Sequence, residues 1–406
     1  MPHTTIAFRH QCSHHRGLLT CSCKAAIAIL LLAGALFPAG VASAPGPPAP
    51  HLDSLDVPNP VQPHYLFVSG GQAEVEPALP SAEPRVGGLT PDRVKAAYSF
   101  SSLPDAGSGA TIAVIVPYDN PTIESDLAVF SAQFGLAPCT TANGCFKKVS
   151  QTGGTDYPAV NVTWAIEGAL DVEWAHAIAP GARILLIEAI SNEWSDLLPA
   201  VLYARTHAQY VSMSLGSPEF SEQTSIDDFF AAPGVSFFAS SGDSGARPEY
   251  PSTSPNVISV GGTTLKTTDD GTFSETAWNK SGGGCSVYEA AAPAQARFDE
   301  YKNGACAGRR STPDLAFVAD PATGVAIYTS QGLGGGGWRV VGGTSASTPI
   351  AAARAATTAR VIDAAQVYGG EMAFRDITSG SNGTPARLGL DTVTGRGSWI
   401  AAAVTK

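Results

Sequence analysis

The apolar run Thr111-Ile112-Ala113-Val114-Ile115-Val116 decides the fold, because no polar residue interrupts it after its first position. A strand that is apolar throughout is buried on both faces, which is typical of the centre of a parallel sheet. Segments with helical spacing follow it, the clearest at residues 163–179. Alternating strands and helices predict an α/β fold with a largely parallel central sheet and helices on both faces. The other predicted core strands are residues 183–188, 210–214, 235–239 and 257–260.

The N-terminal end of the chain differs in composition from the rest. Three basic residues within the first 24 positions precede an apolar run at 25–37 and small residues at 42–44. This order predicts that residues 1–44 are a secretory signal peptide, the alternative being a retained N-terminal anchor. Residues 45–88 are rich in Pro, Ala and Gly, which predicts a linker or short pro-segment without catalytic residues. Residues 89–406 are then one large folded domain.

Composition and charge narrow the classes of partner. The chain has 24 basic and 35 acidic residues, a formal net charge of −11, and only 15% charged residues. Binding to phosphate backbones or anionic membranes needs clustered Lys and Arg, so we expect no nucleic-acid partner and no stable membrane association after signal cleavage. We expect a compact, loop-rich, monomeric protein that is secreted to the extracellular space.

The cysteines agree with export. Three of the seven fall within the first 23 residues, which leaves Cys139, Cys145, Cys285 and Cys306 for the mature chain. An even number fits a disulfide framework in an oxidising compartment. Proximity favours Cys139 with Cys145 and Cys285 with Cys306, although three connectivities are open. Metal binding by these four is the weaker interpretation, because none of them forms a CxxC pair.

A candidate nucleophile follows a glycine turn near the C-terminus. The stretch Gly342-Gly343-Thr344-Ser345-Ala346-Ser347-Thr348-Pro349 leads into an alanine-rich segment, residues 351–359, that predicts a helix. A serine at a helix N-terminus lies where backbone N–H groups and the helix dipole favour a developing oxyanion. The alternative is an ordinary N-cap serine.

Two motifs together resemble the clan that contains the subtilisins and the sedolisins. The stretch around Ser345 resembles its serine motif, and Val211-Ser212-Met213-Ser214-Leu215-Gly216 resembles the strand on which it binds an extended peptide by backbone pairing. The resemblance implies that Ser214, Leu215 and Gly216 contact the substrate. The alternative for this segment is a core strand that ends at a glycine.

A serine hydroxyl needs a base that takes its proton, and the clan divides at this point. Subtilisins use an Asp after the first strand and a His in a His-Gly-Thr segment. Asp119 follows the first predicted strand here, but the chain contains no His-Gly-Thr. His176 lies about 140° around the helix from Asp171, so we expect it to be a packed helix histidine.

Residues 167–182, from Glu167 to the Ala-Pro-Gly-Ala exit, resemble the Glu-x-x-x-Asp segment of sedolisins. Positions i and i+4 share one helix face, and two like carboxyls held close together favour a shared proton. The resemblance implies that Glu167 accepts the proton of Ser345 and that Asp171 orients Glu167. The alternative is a solvated acidic pair, but apolar neighbours such as Leu170 and Trp174 predict a buried helix.

An aspartate follows the predicted strand at 235–239. The segment Ser241-Gly242-Asp243-Ser244-Gly245 resembles the sedolisin segment that lies where subtilisins have an oxyanion-stabilising asparagine. A carboxylate would repel an oxyanion, whereas a protonated carboxyl group donates a hydrogen bond to it. The resemblance therefore implies that Asp243 is neutral in the working enzyme, at acidic pH. The alternative is an Asx-turn.

The resemblance covers residues 89–398 and implies a subtilisin-like fold and a secreted serine-carboxyl endopeptidase. It implies hydrolysis of peptide bonds in proteins or peptides through an acyl-enzyme on Ser345. Three alternatives remain open: a histidine-based subtilase, a non-catalytic secreted binding protein on the same fold, and an aspartic-type protease. The last lacks the expected Asp-Thr-Gly or Asp-Ser-Gly twin motifs.

Two segments near the C-terminus, residues 376–383 and 389–391, resemble the calcium loop of the sedolisins. The resemblance implies one Ca²⁺ held by the side chains of Asp376 and Asp391 and the carbonyl oxygens of Ile377 and Gly389. Arg387 stands where the family usually has a glycine. The alternative is a glycine-rich Asx-turn loop without a metal.

Overall fold

A computed structural model of the protein describes residues 60–67, 86–103, 105–268, 270–302, 304, 306–332 and 335–401. The predicted signal peptide, residues 1–44, lies outside these ranges. So does most of the predicted linker, residues 45–88, of which only 60–67 and 86–88 are described.

The strands are β1 Gln62–Pro63, β2 Leu66–Phe67, β3 Thr111–Pro117, β4 Phe146–Ser150, β5 Arg183–Ala189, β6 Tyr210–Met213, β7 Leu215–Pro218, β8 Ser236–Ser240, β9 Glu249–Tyr250, β10 Ile258–Thr267, β11 Phe273–Ala277, β12 Gly284–Ala290, β13 Arg309–Thr312, β14 Leu315–Val318, β15 Val325–Thr329, β16 Gly337–Gly342, β17 Ala373–Arg375 and β18 Ser398–Ile400. The helices are α1 Pro91–Tyr98, α2 Ile123–Gln133, α3 Val162–Ile178, α4 Trp194–His207, α5 Pro293–Arg297, α6 Asp299–Lys302, α7 Thr344–Thr358 and α8 Ala364–Tyr368. Short 3₁₀ turns lie at Gln223–Ser225, Asp227–Phe230 and Pro321–Thr323.

An eight-stranded sheet forms the centre of the fold. Its order is β11-β10-β8-β6-β3-β5-β4, with β14 paired to β10. Neighbouring strands are parallel except for β11, which runs antiparallel to β10. The sequence prediction of a largely parallel central sheet is therefore confirmed, and every strand predicted from an apolar run belongs to it.

Both faces of the sheet are covered, as the run in β3 predicted. Ile112, Val114 and Val116 enter a core that includes side chains of α2, α3 and α7. Ala113 and Ile115 point the opposite way, into a second core that includes side chains of α4. Successive side chains of a strand alternate between its faces, so one uninterrupted apolar strand supplies both cores.

Helix α3 is buried all round. The side chain of Asn161 accepts hydrogen bonds from the backbone N–H groups of Thr163 and Trp164, and this cap begins the helix. Every side chain from Trp164 to Ile178 is buried, including Glu167 and Asp171. The helix packs against α7 on the sheet, so its acidic pair has no solvated face.

A short segment of the predicted linker belongs to the folded unit. Residues Gln62–Pro63 pair antiparallel with Gly216 and Leu215 of β7, and Leu66–Phe67 pair antiparallel with the end of β16. Val61 and His64 are buried. The sequence did not predict this pairing, because composition identifies a Pro-rich stretch but does not indicate which strand edge it pairs with.

The structure forms the two disulfides that sequence proximity favoured. Cys139 is bonded to Cys145 and Cys285 to Cys306, with Cα separations of 4.9 and 5.1 Å. In the part of the chain that the structure describes, no helix is both long and apolar enough to cross a membrane.

The cap of α3 gives a test of the fold. Replacing Asn161 with Ala removes the acceptor for two helix N–H groups, so we expect the free energy of unfolding to fall by about 1 kcal/mol. Asn161→Asp keeps an acceptor oxygen at the helix N-terminus and should retain most of the stability. Urea unfolding of both variants checks this, and an equal loss in both would contradict the capping role.

Candidate active site

Ser345 lies in the first turn of α7, immediately after the glycine turn that ends β16. The side-chain Oγ of Ser345 is buried and has no hydrogen-bond partner among the described residues. Gly343 precedes the helix with φ of 104°, and a Cβ there would lie 2.6 Å from Oδ2 of Asp243. The positive φ and the close approach both require glycine at this turn. The turn therefore holds the serine beside a carboxyl group.

The two carboxyl groups of α3 lie at the contact between α3 and α7. Asp171 Oδ1 accepts a hydrogen bond of 2.6 Å from the hydroxyl of Ser214, and the same hydroxyl lies 3.3 Å from the backbone carbonyl oxygen of Ser345. Ser214 thus connects the helix acid to the backbone of the serine. Both oxygens of Glu167 lack a hydrogen bond within the described part of the chain.

The surroundings of Glu167 and Asp171 favour their neutral forms. Burial first, and then the neighbouring Asp171, raise the pKa of Glu167 well above its ordinary value, while the nearby hydroxyl of Ser345 lowers it by a smaller amount. Burial also raises the pKa of Asp171, against the hydrogen bond from Ser214. The pair therefore keeps a proton to a higher pH than exposed carboxyls do.

Asp243 follows β8 and contacts the start of α7. Its Oδ1 accepts hydrogen bonds from the backbone N–H of Thr344 at 2.8 Å and from the hydroxyl of Thr344 at 2.9 Å. Its Oδ2 is buried and has no partner in the described residues. Burial raises the pKa of Asp243 to about 6, although His64 and Thr344 oppose the shift. Since Oδ1 already accepts two donors, a proton on this carboxyl belongs on Oδ2, where it is free to donate.

The backbone N–H of Ser345 already binds a peptide carbonyl. It donates to the carbonyl oxygen of His64 at 2.9 Å, while the two residues before His64 pair with Leu215 and Gly216. The three predicted substrate residues therefore lie in and beside one strand edge next to the serine, and an extended segment of the same chain occupies that edge. Sequence reasoning missed this segment. Its one signal is the run Tyr65-Leu66-Phe67-Val68, which is apolar within a Pro-rich stretch.

None of the three described histidines contacts Ser345 Oγ. Nε2 of His176 lies 2.9 Å from the carbonyl oxygen of Ala137, and the ring of His207 stacks on Tyr203. The ring of His64 contacts Ser240 and Glu249 instead. Asp119, which occupies the place of a subtilisin aspartate, pairs with Lys148 at 2.5 Å. The geometry therefore gives no support to a histidine-based site.

One cluster of metal-ligand atoms occurs in the described ranges. Cys139, Cys145 and His176 bring their ligand atoms within 4.8 Å of one another. The two sulfur atoms are bonded to each other, so neither is available as a thiolate ligand. This cluster is a disulfide packed against a helix histidine.

The predicted calcium loop fits a hydrogen-bonded turn better than a cation cage. Oδ1 of Asp391 accepts the backbone N–H groups of Val393 and Thr394, and Oδ2 accepts the N–H of Arg387 at 2.8 Å. Oδ2 of Asp376 accepts the N–H of Gly389. Only Oδ1 of Asp376 is buried without a donor among the described residues. Ca²⁺ takes six to eight oxygen ligands, and N–H groups already occupy most of the carboxylate oxygens here.

Comparison with known proteins places these residues in a family. The subtilase family profile matches residues 162–376, which is more than half of the chain. Kumamolisin from Bacillus sp. (strain MN-32) is 30% identical over 391 residues, covering 85% of this chain and 68% of kumamolisin. The chain belongs to the sedolisin family. Its relatives in that family are serine-type peptidases.

A solved sedolisin structure has the same fold. The structure of Pseudomonas sedolisin, a serine-carboxyl proteinase complexed with two molecules of pseudo-iodotyrostatin, matches with a TM-score of 0.65 and 30% identity, over 77% of this chain and 95% of that one. The predicted subtilisin-like α/β fold is therefore confirmed. Sedolisin from Pseudomonas sp. (strain 101) is 30% identical over 307 residues, and the match covers 49% of the length of that sedolisin.

The buried acids predict how stability depends on pH. Folded-state pKa values of about 6 for Asp243 and about 8 for Glu188 lie above the ordinary values, so the folded state holds protons that the unfolded state has lost. This contribution to stability is complete below about pH 4 and is lost as the pH rises through the folded values. We expect the Tm of the Ser345→Ala variant, chosen to avoid self-digestion, to fall between pH 4 and pH 8.

Asp243→Asn in the same background should flatten this fall between pH 4 and pH 6, because it removes one titrating group. Scanning fluorimetry across the pH range measures both variants. A Tm that rises steadily from pH 5 to pH 8 would contradict the assignment of raised pKa values.

The C-terminal loop predicts little response to calcium. Because N–H groups bind three of the four carboxylate oxygens of Asp376 and Asp391, the Tm in excess Ca²⁺ and in a chelator should agree within about 2 °C. Asp376→Asn is the matched control, and its Tm should be equally insensitive to calcium. A calcium-dependent rise in Tm that Asp376→Asn abolishes would show that the loop binds the ion.

Proposed function

We propose that the chain is a secreted serine-carboxyl endopeptidase that cuts peptide bonds in proteins at acidic pH. Ser345 is the nucleophile, Glu167 its general base, Asp171 the residue that orients Glu167, and Asp243 the oxyanion donor. One observation carries the proposal: the N–H of Ser345 binds a peptide carbonyl at 2.9 Å, while Oγ of Ser345, both oxygens of Glu167 and Oδ2 of Asp243 have no hydrogen-bond partner among the described residues. Buried polar atoms without partners cost stability, so a site that retains several of them has a function for them.

Attack on the carbonyl begins with the hydroxyl of Ser345. Its Oγ forms a bond to the carbonyl carbon, and its proton passes to Glu167, whose two oxygens are otherwise free. Asp171 is fixed by the hydroxyl of Ser214 and shares a proton with Glu167, which keeps the basic oxygen of Glu167 directed at the serine.

The negative oxygen that develops is stabilised from two sides. The N–H of Ser345 donates from the start of α7, where the helix dipole also favours negative charge. The protonated Oδ2 of Asp243 donates from the end of β8, while Thr344 holds Oδ1 in place. Collapse of the intermediate breaks the C–N bond as Glu167 returns the proton to the leaving amine. Water activated by Glu167 then hydrolyses the acyl-enzyme.

The proposed activity at acidic pH follows from the protonation state of the oxyanion donor, Asp243. Asp243 donates only while it is protonated, and its pKa is about 6, so the fraction able to donate falls as the pH rises above that value. The raised pKa values of Glu167 and Asp171 act in the same direction by keeping the shared proton on the pair.

Extracellular action on protein or peptide substrates is part of the proposal. Two disulfides, Cys139–Cys145 and Cys285–Cys306, agree with folding in an oxidising compartment. The strand edge at Leu215 and Gly216 pairs with an extended segment of the chain through backbone groups, and such pairing suits a peptide whatever its side chains.

Three substitutions test the assigned roles. Ser345→Ala should abolish measurable cleavage of an acid-denatured protein, and Glu167→Gln should lower kcat by on the order of 10³, because the hydroxyl then has no base. Asp243→Asn should lower kcat less at acidic pH, since an amide also donates, and should shift the upper limit of the pH–rate profile to higher pH. Steady-state rates between pH 3 and pH 8 measure these effects.

His176→Ala is the matched control, because His176 lies on the same helix as Glu167 but hydrogen-bonds the carbonyl oxygen of Ala137 and packs against the Cys139–Cys145 disulfide. It should keep most of the activity when the variant remains folded by circular dichroism. Loss of activity in His176→Ala alone, or a wild-type rate that peaks near neutral pH, would overturn the proposed mechanism.

A further inference from the structure

The chain's own segment shows how a peptide is seated in the site. We name residues 61–67 the cleft segment. Its first half pairs with β7 and its second half with β16, so it crosses the site in extended form. The carbonyl oxygen of His64 accepts the N–H of Ser345, and Tyr65 follows on the side of Glu167, whose charge contributes to the raised pKa of Tyr65. His64 therefore occupies the position of the residue that precedes a cleaved bond.

The ring of His64 lies in a pocket whose side chains contact both ring nitrogen atoms. Nδ1 lies 2.7 Å from the hydroxyl of Ser240, and Nε2 lies 2.8 Å from Oε2 of Glu249. The side chains of His64 and Glu249 are only 5% and 12% exposed. These contacts are therefore shielded from water, which strengthens an ionic hydrogen bond.

Two glycines make room for this pocket. A Cβ on Gly216 would lie 2.6 Å from Cε1 of His64, and a Cβ on Gly242 would lie 2.8 Å from the carboxyl carbon of Glu249. Any side chain at either position would therefore displace the imidazole or the acid. Strand β9 carries Glu249 into place because it pairs with β7 on the edge opposite the cleft segment.

The chemistry of the pocket suits a cationic imidazole. A protonated imidazole donates from both nitrogens, and here one nitrogen faces a carboxylate and the other a hydroxyl that accepts. Burial by itself would lower the pKa of His64, but Glu249 and then Asp243 outweigh burial and leave the pKa raised. A neutral side chain of similar size would leave the carboxylate of Glu249 buried without a cationic partner.

We propose that Glu249, assisted by Ser240, is a specificity-determining residue that selects peptides with a histidine immediately before the cleaved bond. Lysine is accepted less well, because its compact ammonium group does not reproduce the two opposed N–H groups of a planar imidazolium ring. The inference rests on the proposed peptidase function. It adds the class of side chain that the site recognises.

The test is a competition between peptides in one tube. The peptides share the sequence Val-Gln-Pro-X-Tyr-Leu, taken from the cleft segment, with His, Lys, Gln or Leu at X. The ratio of kcat/KM values in a mixture does not depend on how many enzyme molecules have an accessible cleft, so the chain's own segment does not bias the result. Mass spectrometry follows each peptide at pH 4.5 and identifies the bond that is cut.

We expect wild-type enzyme to cut after His at least about tenfold faster than after Gln, because Gln loses the charged hydrogen bond that His forms with Glu249. Glu249→Gln should bring this ratio within about threefold of one. Glu222→Gln removes an exposed carboxylate outside the pocket and should keep the wild-type ratio. Ser240→Ala should narrow the preference for His over Lys, and it serves as the test variant if Glu249→Gln does not fold.

A wild-type enzyme that cuts all four peptides equally, or a His preference that survives in Glu249→Gln, would overturn the inference and leave the peptidase function intact. A folded wild-type enzyme that cuts none of the peptides and no denatured protein would overturn both. These outcomes are distinguishable because the denatured-protein assay does not depend on any one side chain in the substrate.

Discussion

The site depends on the burial of two carboxyl groups at the contact between α3 and α7. Glu167 and Asp171 are fully buried, and α7 carries Ser345 in its first turn. Charged carboxylates in such a place cost several kcal/mol each, so the pair is stable when it holds a proton and Ser214 satisfies one oxygen. In the proposed mechanism, the buried contact supplies both a base beside the serine and the requirement for acidic conditions.

A third buried carboxyl group, that of Asp243, lies on the opposite side of the site. Asp243 reaches from the end of β8 to the start of α7, and its contacts with Thr344 fix one oxygen, while the other is buried and has no partner among the described residues. Gly343 permits this approach because it has no side chain and adopts a positive φ. The central sheet thus holds the proposed base on one helix and the proposed oxyanion donor at one strand end, on either side of a single serine.

Strand β7 links catalysis to recognition. One of its edges takes an extended peptide, here the cleft segment, and its other edge pairs with β9, which carries Glu249. In the proposed complex, β7 therefore binds the peptide backbone, and β9 contacts the side chain before the cleaved bond. A shift of β7 would disturb peptide binding and the position of Glu249 at once. Gly216 and Gly242 avoid such a shift, because they leave room for His64 and Glu249 in a closely packed region.

The sequence by itself determined the features that depend on short-range order. The apolar run in β3, the i,i+4 spacing of Glu167 and Asp171, and the glycine turn before Ser345 each express a local period or backbone conformation. Tertiary structure alone decided the role of His64, which meets Ser240 across 176 residues of sequence. Pairing across such separations depends on how strand edges meet in the folded chain, and no local pattern of residues encodes that meeting.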